Sequence, residues 1–117
     1  MFMARIPDST KSSLTWKLAD RARERWPRIQ RVAIRFRGSF AYIDALLTDG
    51  QTIKLCRLHY VGYANSWGFA IWRASHGDYQ DSWLPSGTPS GTPTQALDTA
   101  CGLYLDDPTA WNPPPTN

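Results

Sequence analysis

In "DSTKSSLTWKLADRARERWP" the residues Leu14, Leu18, Ala22 and Trp26 recur at every fourth position. That is the period that gathers side chains on one face of an α-helix. Asp8, Ser9 or Ser12 is placed to cap its start, and Pro27 ends it. Lys17, Arg21, Arg25 and Arg28 make a second, basic stripe beside the apolar one. Asp20 and Glu24 lie further round, at helical spacing from Lys17, Arg23 and Arg28. Such a helix can dock on a core and still show a basic ridge.

The period then changes to two. In "RVAIRFR", Val32, Ile34 and Phe36 alternate with Arg31, Arg35 and Arg37, which predicts a strand with one buried face and one solvated, basic face. Gly38-Ser39 turns the chain into "FAYIDALL", apolar on both sides and suited to a central strand. Asp49-Gly50 is a strong hairpin signal. "TIKLCRLHY" returns with Ile53, Leu55 and Arg57 expected on one side and Lys54, Cys56 and Leu58 on the other. "WGFAIWRAS" is a fourth strand, with Trp67, Phe69 and Ile71 opposite Ala70 and Trp72. "YQDSWL" is a short fifth strand at an edge.

"SGTPSGTPTQALDTACGLYL" writes one tetrapeptide twice before an apolar segment. Thr92-Pro93-Thr94-Gln95 has the form of a capping box, with Thr92 as N-cap, Pro93 in the first helical position and Gln95 three residues after the cap. The second copy therefore starts a helix that turns Leu97, Ala100, Cys101 and Tyr104 to one face, and the first copy spaces it from the strand before. The order helix, strands, helix predicts an α+β domain. We expect an antiparallel meander of about five strands with the N-terminal and C-terminal helices packed on one face, leaving the other open. A single domain is expected over residues 1–117, with a core over about 9–106 and an irregular tail at 107–117 in which Trp111 is the one anchor.

Composition changes this picture little. Apolar residues make up 42% and charged residues 20%, which is globular rather than disordered. Six tryptophans are more than one core face of this size needs, and such rings also favour interfaces. Cys56 and Cys101 are too few and too far apart for a zinc framework, and read as two buried thiols in a reducing compartment, with a single disulfide as the alternative. "MFMARIPDST" holds no apolar run of signal-peptide length, and no segment is long and apolar enough for a membrane span. A soluble cytoplasmic protein is expected, with no membrane partner.

Charge changes it more. Residues 1–37 hold ten basic residues against three acidic ones, a net +7, and the remainder holds three against seven, a net −4. Such asymmetry points to a polyanion partner. Lys17, Arg21, Arg25 and Arg28 on the helix, with Arg31, Arg35 and Arg37 on the first strand, are the candidate contacts for the phosphate backbone of DNA or RNA. A solvated face paired with the acidic remainder, or with a sister subunit, has the same composition. The aromatic residues Tyr42, Tyr60, Tyr63, Trp67 and Trp72 are candidates to stack on bases. Of these, Tyr42, Tyr63, Trp67 and Trp72 are the candidates for the alternative, an interface with a protein partner or a second copy, for which the edge strand at 79–83 is one route.

Signals of catalysis are sparse. His59 and His76 are the only histidines, and no phosphate loop, nucleophile elbow or metal motif occurs. Asp44, inside an apolar strand, is the most unusual carboxylate: a buried acid that keeps its proton is one reading, and a residue that faces solvent or pairs with Arg35 or Arg57 is the commoner one. An enzyme centred on Asp44 and His59 requires the two side chains to meet in a cleft. The expectation is a non-catalytic binding protein with no cofactor.

Three resemblances add to this. "RFRGSFAYIDALLTDG", "LCRLHYVGYANSWGFAIWRAS" and "ALDTACGLYLDDPTAW" together look like a group of small, functionally uncharacterised actinobacterial proteins, which implies a bacterial origin but no activity. "LPSGTPSGTPTQALDTACGLYL" resembles the stretch of HicB-type antitoxins where a strand ends and a capped helix begins. Gln95-Ala96-Leu97, Ala100 and Leu103-Tyr104-Leu105 match that pattern, which implies a partly RNase H-like sheet that binds a protein toxin. The order helix, meander, helix is similar to a double-stranded RNA-binding domain, which implies duplex RNA as ligand. The second helix of those domains starts with lysines, where this chain has "TPTQALD".

Overall fold

The computed structural model describes residues 5–84 and 87–105. Trp111 and the tail at 107–117 lie outside the described residues. An N-terminal helix, α1 (Asp8–Arg25), leads into five strands, β1 (Ile29–Arg37), β2 (Phe40–Leu47), β3 (Thr52–Tyr63), β4 (Ser66–Arg73) and β5 (Asp78–Asp81). A two-residue strand, β6 (Ser90–Gly91), precedes the C-terminal helix α2 (Pro93–Tyr104). The five strands pair antiparallel in chain order, and β6 pairs with β4 on the same side as β5. The fold is α+β, with an open antiparallel sheet.

The apolar stripe of α1 goes where its period demands. Leu14, Leu18, Ala22 and the C-capping Trp26 are buried on the sheet. The start differs from expectation. Pro7 takes the cap position and no side chain caps the first turn, because Asp8 is already helical and Ser9 and Ser12 lie further inside. At the other end, Thr92 Oγ1 accepts from the Gln95 N–H, and the Gln95 side chain accepts from the Thr92 N–H at 2.9 Å. This reciprocal cap fixes the start of α2. Its buried positions include Ala96, Leu97, Ala100 and Cys101. The repeated tetrapeptide is more than a spacer. Pro89 O accepts from the Phe69 N–H, and Ser90-Gly91 adds to β4 beside Trp67 and Gly68. A Cβ at Gly91 would come within 2.5 Å of the ends of both the Gln95 and Leu84 side chains, so a larger residue there would displace the Gln95 amide from its cap.

Both helices cover one face of the sheet. On that face Ala41, Ile43, Ala45 and Leu47 of β2 meet Leu58 and Cys56 of β3 and Phe69 and Trp67 of β4. Gly50, at φ 91°, makes the tight β2–β3 turn. Strict alternation fails in β3. Ile43 pairs with Cys56 but Asp44 pairs with Lys54, so Leu55 is the extra residue of a β-bulge. Ile53, opposite Ala45, therefore faces the helices together with Cys56 and Leu58. Lys54 and Arg57 both face the open side, opposite Asp44 and Tyr42. The two faces expected from the sequence are thus exchanged from Lys54 backward. Cys56 and Cys101 are free, buried thiols, and burial pushes both above the ordinary thiol range.

Candidate functional site

The seven basic residues expected to form one ridge are split by the sheet. Lys17 and Arg21 belong to α1, on the covered side, and Lys17 donates to the Asn65 side chain. Arg21 makes a forked contact with Asp98 of α2, at 3.1 Å from Nε and 2.7 Å from Nη2. Asp98 also accepts from Trp26 Nε1 at 2.9 Å. The Asp98 side chain is 18% exposed and that of Arg21 30%, so this contact staples α1 to α2. The hydrogen bond to Asp98 holds the Arg21 guanidinium above its ordinary pKa. Arg25 lies over the Trp26 ring at 5.0 Å, and Arg28 sits in the turn between α1 and β1, where its carbonyl accepts from Thr48.

Arg31, Arg35 and Arg37 are elsewhere. They pair across β1–β2 with Leu46, Tyr42 and Phe40, positions that alternate with the buried Ala41, Ile43 and Ala45. They therefore stand on the open face. Among the described residues none of the three makes an ion pair. The acidic part of the chain meets the helix at Arg21 through Asp98 and the β4–β5 hairpin at Arg73 through Asp78, at 2.7 Å; among the described residues it forms no ion pair with the first strand.

The open face also gathers rings. His59 stacks on Phe40 with centroids 4.5 Å apart, and Phe40 neighbours Tyr42 at 6.4 Å. Tyr42 meets the edge of Tyr79 at 5.4 Å, and Tyr79 meets Trp72 at 5.0 Å. Tyr79 belongs to the edge strand, with β3 and β4 between it and Tyr42, and spans the gap because the residue between Arg57 and Asp81 in the register is the small Ala70. Cations lie over these rings: Arg35 over Tyr42 at 5.3 Å, Arg57 over Phe40 at 4.8 Å, and Lys54 over Trp72 at 4.4 Å. The result is a continuous row of five rings with cations between them.

Three buried polar atoms of side chains on this face have no hydrogen-bond partner among the described residues: Asp44 Oδ1, Arg57 Nε and Tyr79 Oη. Burial, then the nearby Asp44 charge, pushes the Tyr79 hydroxyl above the ordinary phenol range. Asp44 makes no ion pair with Arg35 or Arg57 among the described residues, and Arg57 approaches Asp81 instead, at 3.5 Å. Asp44 and His59 share the open face but do not meet. His59 stands opposite Phe40, four residues from Asp44 along β2, or roughly 13 Å at the rise of a strand.

Of the four aromatic residues assigned to an interface, Tyr42 and Trp72 are on the open face. Trp67 is not a surface residue. It is 1% exposed, packed on Tyr60 at 5.2 Å with its Nε1–H donated to Ala64 O. Tyr63, 69% exposed, ends β3 and takes no part in the row. Sequence reasoning missed Phe40, Lys54, Arg57, His59 and Tyr79. Phe40 and Tyr42 were readable from their spacing of two, which puts both on one face. Lys54 and Arg57, three apart, alternate to opposite faces unless the bulge is known.

Among the described residues no cluster of three or more His, Cys, Asp or Glu side chains is arranged to hold a metal ion, and no helix is long and apolar enough to cross a membrane. No protein-family model matches the chain, nor does any curated protein or solved structure.

Proposed function

We propose that this protein binds single-stranded nucleic acid on the open face of its sheet. The carrying observation is that Arg31, Arg35 and Arg37 stand without ion pairs beside a row of half-exposed rings interleaved with Lys54 and Arg57. Unpaired cations attract phosphates, and rings offer stacking platforms to bases that are not already stacked in a duplex. A duplex hides its base faces, so this surface favours single strands. The α1 ridge is a poor second, because the Arg21 charge is spent on Asp98.

Fluorescence anisotropy with labelled single strands and duplexes of DNA and RNA, across a salt series, tests the proposal. Salt-sensitive binding of single strands is expected, weakened at least tenfold in Arg35→Glu/Arg37→Glu and unchanged in Arg23→Glu, whose side chain is 72% exposed on α1. An equal loss from the helix variant, or a preference for duplex, overturns the assignment to the sheet face. Absence of binding together with salt-tolerant self-association supports the alternative, a protein-interaction surface built from the same rings.

A further inference from the structure

An open-sided pocket of about 400 Å³ lies at the end of the aromatic row, where β4 forks to β5 and β6. Ligand sites of roughly 300–1,000 Å³ are common for small organic groups. One wall is the stacked pair Phe40 and His59, with planes inclined by only 19°. The floor is Gly68 and Ala70, which put no side chain larger than a methyl between β3 and the β5–β6 fork. A Cβ at position 68 would meet His59 Cβ at 3.3 Å, so the glycine keeps the floor flat beside the ring. Arg57 reaches in from the inner side, its side chain 26% exposed, and Asp81 stands at the mouth, 93% exposed.

The polar groups decide what fits. A phosphate gains from Arg57 but is repelled by Asp81, with Oδ1 only 3.5 Å from Arg57 Nη2. A nucleobase gains from both, since a guanidinium beside a carboxylate sets donors next to acceptors. The edge of guanine answers that pattern most fully: its N1–H and N2–H donate to the two oxygens of a carboxylate, while O6 accepts from a guanidinium. Uracil has one donor between two carbonyls and leaves a carboxylate oxygen facing a carbonyl. Adenine and cytosine each offer the carboxylate a single amino group.

We infer that this pocket holds one unpaired guanine of the bound strand, its ring against the Phe40–His59 wall and its edge on Asp81 and Arg57. The inference rests on the nucleic-acid reading and makes Asp81 a specificity-determining residue.

The test uses labelled eight-nucleotide strands, one all-uridine and others with a single central guanosine, adenosine or cytidine, together with their DNA counterparts. The wild type is expected to bind the guanosine strand about tenfold tighter than the uridine strand. In Asp81→Asn the four strands are expected to bind within about twofold of one another. The readout is the ratio between strands, because loss of a negative charge raises affinity for every strand alike. The exposure of Asp81 lets the variant fold, which circular dichroism verifies. Equal binding of all four strands by the wild type, or a guanosine preference that survives in Asp81→Asn, overturns the pocket assignment while the sheet face remains a nucleic-acid surface. Failure to bind any strand overturns both.

Discussion

At the scale of single residues, Asp98 carries the most. It accepts from Arg21 and from Trp26 Nε1 at once, and so ties together the two helices and the residue that caps the first of them. Replacing it with alanine leaves the Trp26 indole N–H without its acceptor and the half-buried Arg21 guanidinium with only Glu24, at 3.4 Å. Groups stranded in this way cost more than the interaction contributed while intact. Asp98→Ala is therefore expected to lower stability by about 2–3 kcal/mol, read as a fall in the urea midpoint without a change in slope. Arg21→Ala should cost less, since Trp26 keeps its acceptor. None of this is legible in the sequence. Arg21 and Asp98 are 77 positions apart, and the charge split between the ends of the chain suggests only that pairs exist. The same distance hides the fate of Trp67: spacing places it with Phe69 and Ile71, but which face of β4 the helices cover is a tertiary fact.

Elements were more legible, because period and cap chemistry are local. The apolar stripe of α1, the alternation of β1 and β4, and the capping box of α2 all follow from residues within a few positions of one another. The bulge in β3 does not, since Leu55 becomes the extra residue only when Ile43 and Asp44 choose partners on the next strand. Its effect is to set Lys54 and Arg57 on one face where strict alternation would separate them. The α2 cap permits a clean test of an element that serves stability alone. Thr92→Ala removes the hydroxyl that accepts from Gln95 and is expected to cost about 1 kcal/mol in urea unfolding. Strand affinity measured under native conditions should stay within twofold, because α2 lies against the far side of the sheet.

For the whole molecule, the two faces of the sheet differ in what they carry. The covered face carries Trp67, Leu58 and both thiols, and on that side Arg21 pairs with Asp98 and Glu24, and Arg23 with Asp20. The open face gathers Arg31, Arg35 and Arg37 of β1 with Lys54 and Arg57 of β3. If Arg31, Arg35, Arg37 and Lys54 each neutralise one phosphate while Arg57 serves the pocket beside Asp81, the logarithm of affinity should fall with the logarithm of salt at a slope near −2.8, given about −0.7 per phosphate for single strands. Arg35→Glu/Arg37→Glu should reduce that slope by about 1.4 and leave stability within about 0.5 kcal/mol, since neither arginine is part of an ion pair. Trp72→Ala should behave in the opposite way. Its ring is one end of the row, so its removal is expected to weaken binding by about 1–3 kcal/mol with the slope unchanged, stacking being insensitive to counterions. A slope that moves in Trp72→Ala, or stays fixed in the arginine variant, would mean that rings and cations do not divide the work between base and phosphate.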